Sequence, residues 1–476
     1  MGWNVHSTPW NVYSSPWNIR SASRNIKLRY LQREYHTAAK PNVPRLFMEI
    51  SMPTDAGMQT LHHFRAVFEE FCIFFMQNHY LCFLNCMIME QLYEFFNRKL
   101  KHTPTEFFRY RYHQIKWHGR AFGIVGPRGV GKSTMLLQYI KFNLNPADTL
   151  YVSADHLYFA EHKLVELADR FVKMGGKHLF IDEIHKYEGW SRELKQIYDS
   201  YDDLQLVISG SSILDIYKGL ADLSRRMPIY TMQGLSFREY LHLFHQIETP
   251  VYSLNEILAH KAVLPVEHPL PLFKDYLRRG YYPFAKDEEY EMELMQVINQ
   301  TMEVDIPQHI QANIALGRKL KSLLMVIAKS VPFKPVMQKL AEATGISRND
   351  IPNYLIYMEK AGMIAQLHDT TGGLRGLGKV EKLYLDNSNL IYTLAPEHVE
   401  IGNVRETFFM NQTRVLNNVT SSSVSDFEID GKVFEIGGRK KGQKQIESVQ
   451  EGYIVKDDIE NGYANIVPLW AFGLNY

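Results

Sequence analysis

The chain has only three cysteines in 476 residues, Cys72, Cys82 and Cys86, all in one short stretch and none at metal-ligand spacing from a histidine. That scarcity excludes a disulfide scaffold and a thiolate metal cluster, and it predicts reduced thiols in a cytoplasmic protein. An excess of either charge is also lacking: 53 Lys and Arg against 52 Asp and Glu leave a formal net charge of +1. Global attraction to nucleic acid is excluded, so any such binding needs a local basic patch. No convincing membrane span is present. Phe71 to Met89 carries no Asp, Glu, Lys or Arg, yet Gln77, Asn78, His79 and Asn85 interrupt it. Each polar group buried in lipid costs free energy, so stable membrane association is not expected.

The N-terminus lacks the charged start and apolar run of a signal peptide. It repeats Trp-Asn-[Val/Ile] at Trp3, Trp10 and Trp17, with prolines and polar residues that oppose a helix. Residues 1–88 are read as a non-native or disordered extension, with translation starting at Met87 or Met89. A short membrane-associating segment is the alternative. The remaining composition, 45% hydrophobic and 22% charged, describes a soluble globular chain of two to four domains.

From Met89 onward the signals sharpen. In AFGIVGPRGVGKSTMLLQYIKF an apolar run, Phe122 to Val125, leads into Gly126-x-x-x-x-Gly131-Lys132-Ser133, and a helical pattern follows. Strand, glycine loop, helix is the context of a P-loop. Its glycines let backbone N–H groups face phosphate oxygens at the positive end of a helix dipole. Lys132 is placed to reach the β- and γ-phosphates and Ser133 to hold Mg²⁺. HLFIDEIHKYEGW supplies the acidic anchor. The strand His178 to Ile181 delivers Asp182, expected in the Mg²⁺ shell, and Glu183, expected to orient or deprotonate the attacking water.

Further strand-like runs, TLYVSAD, LQLVISGSS and MPIYTM, alternate with helical stretches such as HKLVELADRFVKM and SRELKQIYDSY. That alternation predicts a parallel α/β sheet with ligands at the strands' carboxyl ends. Ser209 to Ser212, Ser209 and Ser211 above all, are candidate γ-phosphate sensors; a plain turn is the other reading. Arg225 and Arg226, ahead of the fifth strand, are candidates to approach the phosphates of the same or a neighbouring molecule, or to form a solvated turn.

GPRGVGKST, LFIDEIHKYEGWSRELKQIYDSY, VISGSSILDIYKGLADLSRR and GLSFREYL resemble the prokaryotic AAA-type ATPases that carry a C-terminal restriction-endonuclease-like domain. The resemblance runs from about Met89 to Tyr476, and members of that family begin near MEQLYEFFNR. It implies ATP binding through Gly126, Pro127, Arg128, Gly129, Val130, Gly131, Lys132, Ser133 and Thr134, with Asp182 and Glu183 as the acidic pair. It implies Arg226 as the catalytic arginine, by its distance from Leu235-Ser236-Phe237. ATP and Mg²⁺ are the expected cofactors, and a homo-oligomer is left open.

Beyond LSFREYLHLF, proline-rich stretches read as a linker or lid. The patterns KLKSLLMVIAKS, VMQKLAEATGI and SRNDIPNYLIYMEKAGMI then predict three amphipathic helices, with TTGGLRGLGKVEKLYLDN as a glycine-rich wing. That is a winged-helix pattern. Residues 316–362 hold eight Lys/Arg against three Asp/Glu, which fits contact with DNA phosphates. Yet the third helix offers little to read base edges, and a protein-docking or spacer role stays open.

Near the C-terminus, SDFEIDGKVFEIGGRKKG centres on Asp430-Gly431, a two-residue hairpin signal. Its register sets Phe427 opposite Phe434 and Asp426 opposite Glu435, on a face shared with Glu428. Asp426 and Glu435 are thereby placed to share a divalent metal. This matches the metal-binding half of a restriction-endonuclease-like core, with Glu406 as the upstream acidic residue. The departure is at the lysine: Gly437 stands where the pattern has it. A bulge at Gly437-Gly438 is expected to return Arg439 or Lys440 to the site, or else the hairpin is an inert relic. The expected domains are 89–245 (P-loop ATPase), 246–315 (helical lid), 316–395 (winged-helix-like) and 396–476 (nuclease-like).

Overall fold

The computed structural model describes residues 28–30, 48–50, 89–211, 223, 225–310, 314–369, 379–442, 444–447 and 449–476. The chain divides into two units, Met1–Met89 and Glu90–Tyr476. In the first, Leu28–Tyr30 and Met48–Ile50 pair antiparallel. The expectation of a non-native extension otherwise lies outside the described residues.

In the second unit, a parallel sheet forms from β1 (Ala121–Val125), β2 (Thr149–Ser153), β3 (His178–Asp182), β4 (Gln205–Gly210) and β5 (Ile229–Thr231). The spatial order is β2-β3-β4-β1-β5. β1 and β3 are apolar along nearly their whole length and buried on both faces, as a parallel sheet requires. Helices α1 (Lys132–Asn143), α2 (Leu164–Lys173) and α3 (Trp190–Ser200) return the chain from carboxyl to amino edge. β4 lies between β1 and β3, so the ends of β1, β3 and β4 are neighbours at one edge. That adjacency positions the site.

After β5, Ser236 caps α4 (Phe237–His245) through a capping box with Glu239, as Ser-x-x-Glu allows. The proline-rich lid expected as loose is built of α5 (Leu254–Leu258), α6 (Pro269–Arg279) and α7 (Tyr290–Gln300). Pro269 opens α6, where a missing N–H costs nothing. α7 runs into a π-helical turn, Thr301–Asp305, and then α8 (Ile306–His309). The three predicted amphipathic helices appear as α9 (Ile314–Ala328), α10 (Met337–Thr344) and α11 (Ile351–Lys360). β6 (Ile364–His368) and β7 (Val380–Leu385) pair antiparallel, and Phe333 bridges to Leu383. The tip of the expected wing, 370–378, lies outside the described residues.

α12 (Ser388–Leu394) and α13 (Ile401–Thr413) lead into a mixed sheet. Its strands are β8 (Val419–Ser421), β9 (Phe427–Ile429), β10 (Lys432–Gly437), β11 (Gly452–Lys456) and β12 (Ile466–Pro468), in that spatial order. The hairpin register is the one read from sequence, with Phe427 opposite Phe434 and Ile429 opposite Lys432. Asp430 and Gly431 have φ of 51° and 79°, the left-handed pair a two-residue turn demands. β10–β11 and β11–β12 are parallel. One hydrophobic core runs through this unit, from Phe122 of β1 through Phe273 and Leu323 to Phe434 and Phe472.

Candidate nucleotide site

The loop from Gly126 to Gly131 joins β1 to α1 at the carboxyl edge of the sheet. Gly126 is required there by close approach, because a Cβ on it would run into the carbonyl of Met232. Gly131 caps α1 with φ 94°. Lys132 is buried, and its Nζ donates to the carbonyls of Gly126 at 2.9 Å and Pro127 at 2.8 Å. Burial lowers its pKa to about 8, with the charges of Glu183 and Asp182 opposing that shift. Its ammonium thus lies among the loop's own carbonyls, near both acids.

Asp182 ends β3 and is fully engaged. Its Oδ2 accepts from Tyr151 Oη at 2.6 Å and its Oδ1 from the Glu183 amide at 3.0 Å, while Ser209 Oγ also donates to Oδ1. Ser133 stands beside the same Tyr151 hydroxyl. Ser133 and Asp182 are therefore brought to one point, the pairing of hydroxyl and carboxylate that suits Mg²⁺ carried by a polyphosphate. Burial and Asp182 push the Tyr151 phenol far above its ordinary pKa, so it stays a donor.

Glu183 adopts φ 49°, uncommon for a non-glycine residue and costly unless its surroundings hold it. Ser211 Oγ donates to its Oε2 at 3.1 Å, and His185 Nδ1 lies 3.4 Å from the same oxygen. The two predicted sensor serines thus divide, Ser209 on Asp182 and Ser211 on Glu183. Ser212 lies outside the described residues. Gly129, Val130 and Thr134 fall on the loop and first turn of α1 as expected.

Arg226 lies away from its own P-loop. Its guanidinium binds Asp199 of α3, Nε to Oδ1 at 3.0 Å and Nη2 to Oδ2 at 3.2 Å. That end of α3 adjoins Arg120, just ahead of β1, which donates to the carbonyl of Tyr201 at 3.1 Å. Arg226 therefore sits at the amino edge of the sheet, away from its own P-loop. The reason is topological: a residue preceding a parallel strand lies at the edge opposite the phosphates. Arg225 beside it is exposed.

Two supports were invisible in the sequence. Arg109, 4% exposed, forms a bidentate pair with Glu239 at 3.0 and 3.1 Å and donates to the carbonyls of Gln233, Gly234 and Val130. It ties the P-loop to the capping box of α4. Tyr151 couples β2 to Asp182. Both contacts depend on strand order, and no local pattern marks them.

The C-terminal cluster is also rearranged. Lys382 Nζ lies 3.1 Å from Glu406 Oε2 and 3.1 Å from Asp426 Oδ1, so an ammonium sits between the carboxylates expected to hold metal. Tyr384 Oη donates to Glu406 at 2.8 Å, and the Ile436 amide donates to Asp426 at 3.0 Å. Burial first, then Asp426, raises the Glu406 pKa. Glu435 instead binds Ser425 and Lys441. The chain does fold back at Gly437-Gly438, where Lys441 N donates to Gly438 O at 2.9 Å, but it returns Lys441 and leaves Lys440 exposed. Among the described residues no group of three or more His, Cys, Asp or Glu is arranged to hold a metal. Of the expected site, Glu406 and Asp426 thus share Lys382, Glu435 pairs with Lys441, and Lys440 is exposed.

Residues 118–241 match the family model described as AAA domain, and residues 270–398 match one described as Domain of unknown function (DUF8612). The chain is 27% identical to Uncharacterized protein MJ1637 of Methanocaldococcus jannaschii over 52% of its length and 56% of the relative's. It is 25% identical to Uncharacterized protein MJ1544 of the same organism over 62% and 64%. The chain thus spans roughly three fifths of the length of the curated relatives it matches. Among solved structures it resembles the Walker-type ATPase PABY2304 of Pyrococcus abyssi, with TM-score 0.40, 13% identity and 62% and 99% of the two chains covered. The Hsp104–ADP complex of S. cerevisiae aligns with TM-score 0.27, 14% identity and 56% and 40% covered. No helix among the described residues is long and apolar enough to cross a membrane. The match over 118–241, with the five-stranded parallel sheet and the P-loop at its carboxyl edge, gives the conclusion that residues 118–241 carry an AAA domain.

Proposed function

We propose that the protein binds and hydrolyses Mg²⁺·ATP and acts as a nucleotide-driven switch. The observation that carries this is the grouping of Lys132, Ser133, Asp182 and Glu183 at adjoining strand ends. Lys132 trades the Gly126 and Pro127 carbonyls for β- and γ-phosphate oxygens, neutralising charge that grows in the transition state. Ser133 and Asp182 would hold Mg²⁺, which would supply further neutralisation of phosphate charge. Glu183 accepts the proton of the attacking water, and Ser211, bonded to the same carboxylate, registers whether a γ-phosphate is present. Arg226 is assigned to a neighbouring subunit's nucleotide, which favours a homo-oligomer. Measured ATP binding and phosphate release test the reading: neither exceeding a Lys132→Ala background would overturn it.

The DNA-associated part of the proposal rests on α9 to α11 and the β6–β7 hairpin, a winged-helix-like arrangement with an excess of positive charge. DNA that binds in a salt-sensitive way and alters ATP turnover supports it; no binding at low salt refutes it. A second reading, an ATP-dependent nuclease, draws on the C-terminal sheet, where an antiparallel hairpin leads into parallel strands and Lys441 meets Glu435. Mg²⁺-dependent cutting lost in Asp426→Ala would establish it. Lys382 between Glu406 and Asp426 favours the switch over the nuclease, because its ammonium lies between the two carboxylates a metal would need.

A further inference from the structure

Asp305 lies outside the AAA match and within the matched domain of unknown function, yet its carboxylate reaches the nucleotide site. Its Oδ2 accepts from Arg128 Nη2 at 3.1 Å, and its Oδ1 accepts from Lys186 Nζ at 3.2 Å and Gln300 Nε2 at 3.2 Å. Arg128 is in the P-loop, and Lys186 ends the turn that follows Glu183. One carboxylate, 9% exposed, therefore joins the two walls of the phosphate site. Arg128 stands close enough to Lys132 for its charge to oppose protonation of that lysine. The P-loop touches the same region elsewhere: Cβ atoms built on Gly129 and Gly362 would press on Phe284 and Pro127 respectively.

The backbone carrying Asp305 is the π-helical turn Thr301–Asp305. Such turns are uncommon and concentrate at functional positions. This one is fastened to the next element: a Cβ on Gly317 of α9 would stand 2.9 Å from Glu303 Cα, and Lys321 of α9 pairs with Glu303 at 3.0 Å. The turn is thereby in contact with α9, the first helix of the basic module.

We infer that Asp305 is a triphosphate-responsive latch between the nucleotide site and α9, a reading that rests on the ATP site proposed above. A γ-phosphate entering between the P-loop and Glu183 competes with Asp305 for Arg128 and Lys186. Once those cations turn to phosphate, the carboxylate loses both cationic partners, keeps only Gln300 Nε2, and the π-helical turn is released. A diphosphate presents less charge at that position and leaves the latch engaged. Asp305 acts here as a positioning residue, touching the cations rather than the reacting atoms.

Hydrogen exchange on the full chain tests the latch, with ADP and a non-hydrolysable ATP analogue as the two ligands. The analogue is expected to speed exchange across residues 301–328, and ADP is not. In Asp305→Asn, exchange there is fast with either ligand, and the ratio of analogue to ADP affinity rises at least about fivefold, the low end of ordinary coupling between sites. Equal exchange with both ligands in wild type overturns the latch even if the variant fails to fold. So does a folded variant with an unchanged affinity ratio. Failure of wild type to bind either ligand overturns the ATP reading itself, an outcome distinct from both.

Discussion

Arg109→Met removes the cation that anchors the P-loop from behind. The loss is large because Arg109 and Glu239 are 4% and 0% exposed, so neither charge is screened by solvent. The variant leaves the Glu239 carboxylate with the amides of Tyr110 at 2.6 Å and Ser236 at 3.2 Å, and it removes the Arg109 donor from three carbonyls, of which Gly234 keeps Tyr476 Oη. Breaking one side of a buried pair costs about 3–5 kcal/mol. That is a large part of the roughly 5–15 kcal/mol by which a typical domain is stable. Urea unfolding of wild type, Arg109→Met, Glu239→Met and the double variant measures it. The double variant is expected to cost clearly less than the two singles added, because no charge is then stranded. A single-variant loss below about 1 kcal/mol, the value of an exposed pair, would refute the reasoning.

Gly126→Ala forces a methyl group against the Met232 carbonyl, so nucleotide binding should fall together with about 1–3 kcal/mol of stability. Retained binding with unchanged stability would show that the loop yields. Tyr151→Phe removes the hydroxyl that donates to Asp182 and accepts from Ser133, and is expected to weaken Mg²⁺·ATP binding more than binding of ATP without metal. Isothermal titration with and without Mg²⁺ checks this, and equal losses would argue against it. Glu406 has a folded pKa above its ordinary 4.5, raised by burial and by Asp426. Its protonation therefore stabilises the fold fully below pH 4.5, and this contribution is lost as pH rises through the folded value. Glu406→Gln should flatten that part of the stability–pH curve, and an unaltered curve would exclude the assignment.

The geometry of the candidate nucleotide site was legible because its parts are local: Gly126 to Ser133 and Asp182-Glu183 each declare a turn, a strand end and a charge. The β9–β10 hairpin was legible for the same reason, since Asp430-Gly431 fixes its register. What escaped were contacts set by the order of strands and the return paths of helices. Tyr151 meets Asp182 only because β2 lies beside β3. Asp305 meets Arg128 across 177 positions of sequence. Arg226 faces Asp199 because a residue ahead of β5 belongs to the amino edge, a consequence of parallel topology that spacing from Leu235-Ser236-Phe237 conceals. Lys382 between Glu406 and Asp426 follows from packing of β7 against α13 and the hairpin, and its own segment gives no sign of it.

Phosphate release from Mg²⁺·ATP by the full chain, compared between wild type and Glu183→Gln, tests the central claim most directly. Loss of the base should slow turnover about 10²–10⁴-fold while nucleotide stays bound. Equal release by the two proteins, at a rate above the Lys132→Ala background, would contradict the role given to Glu183.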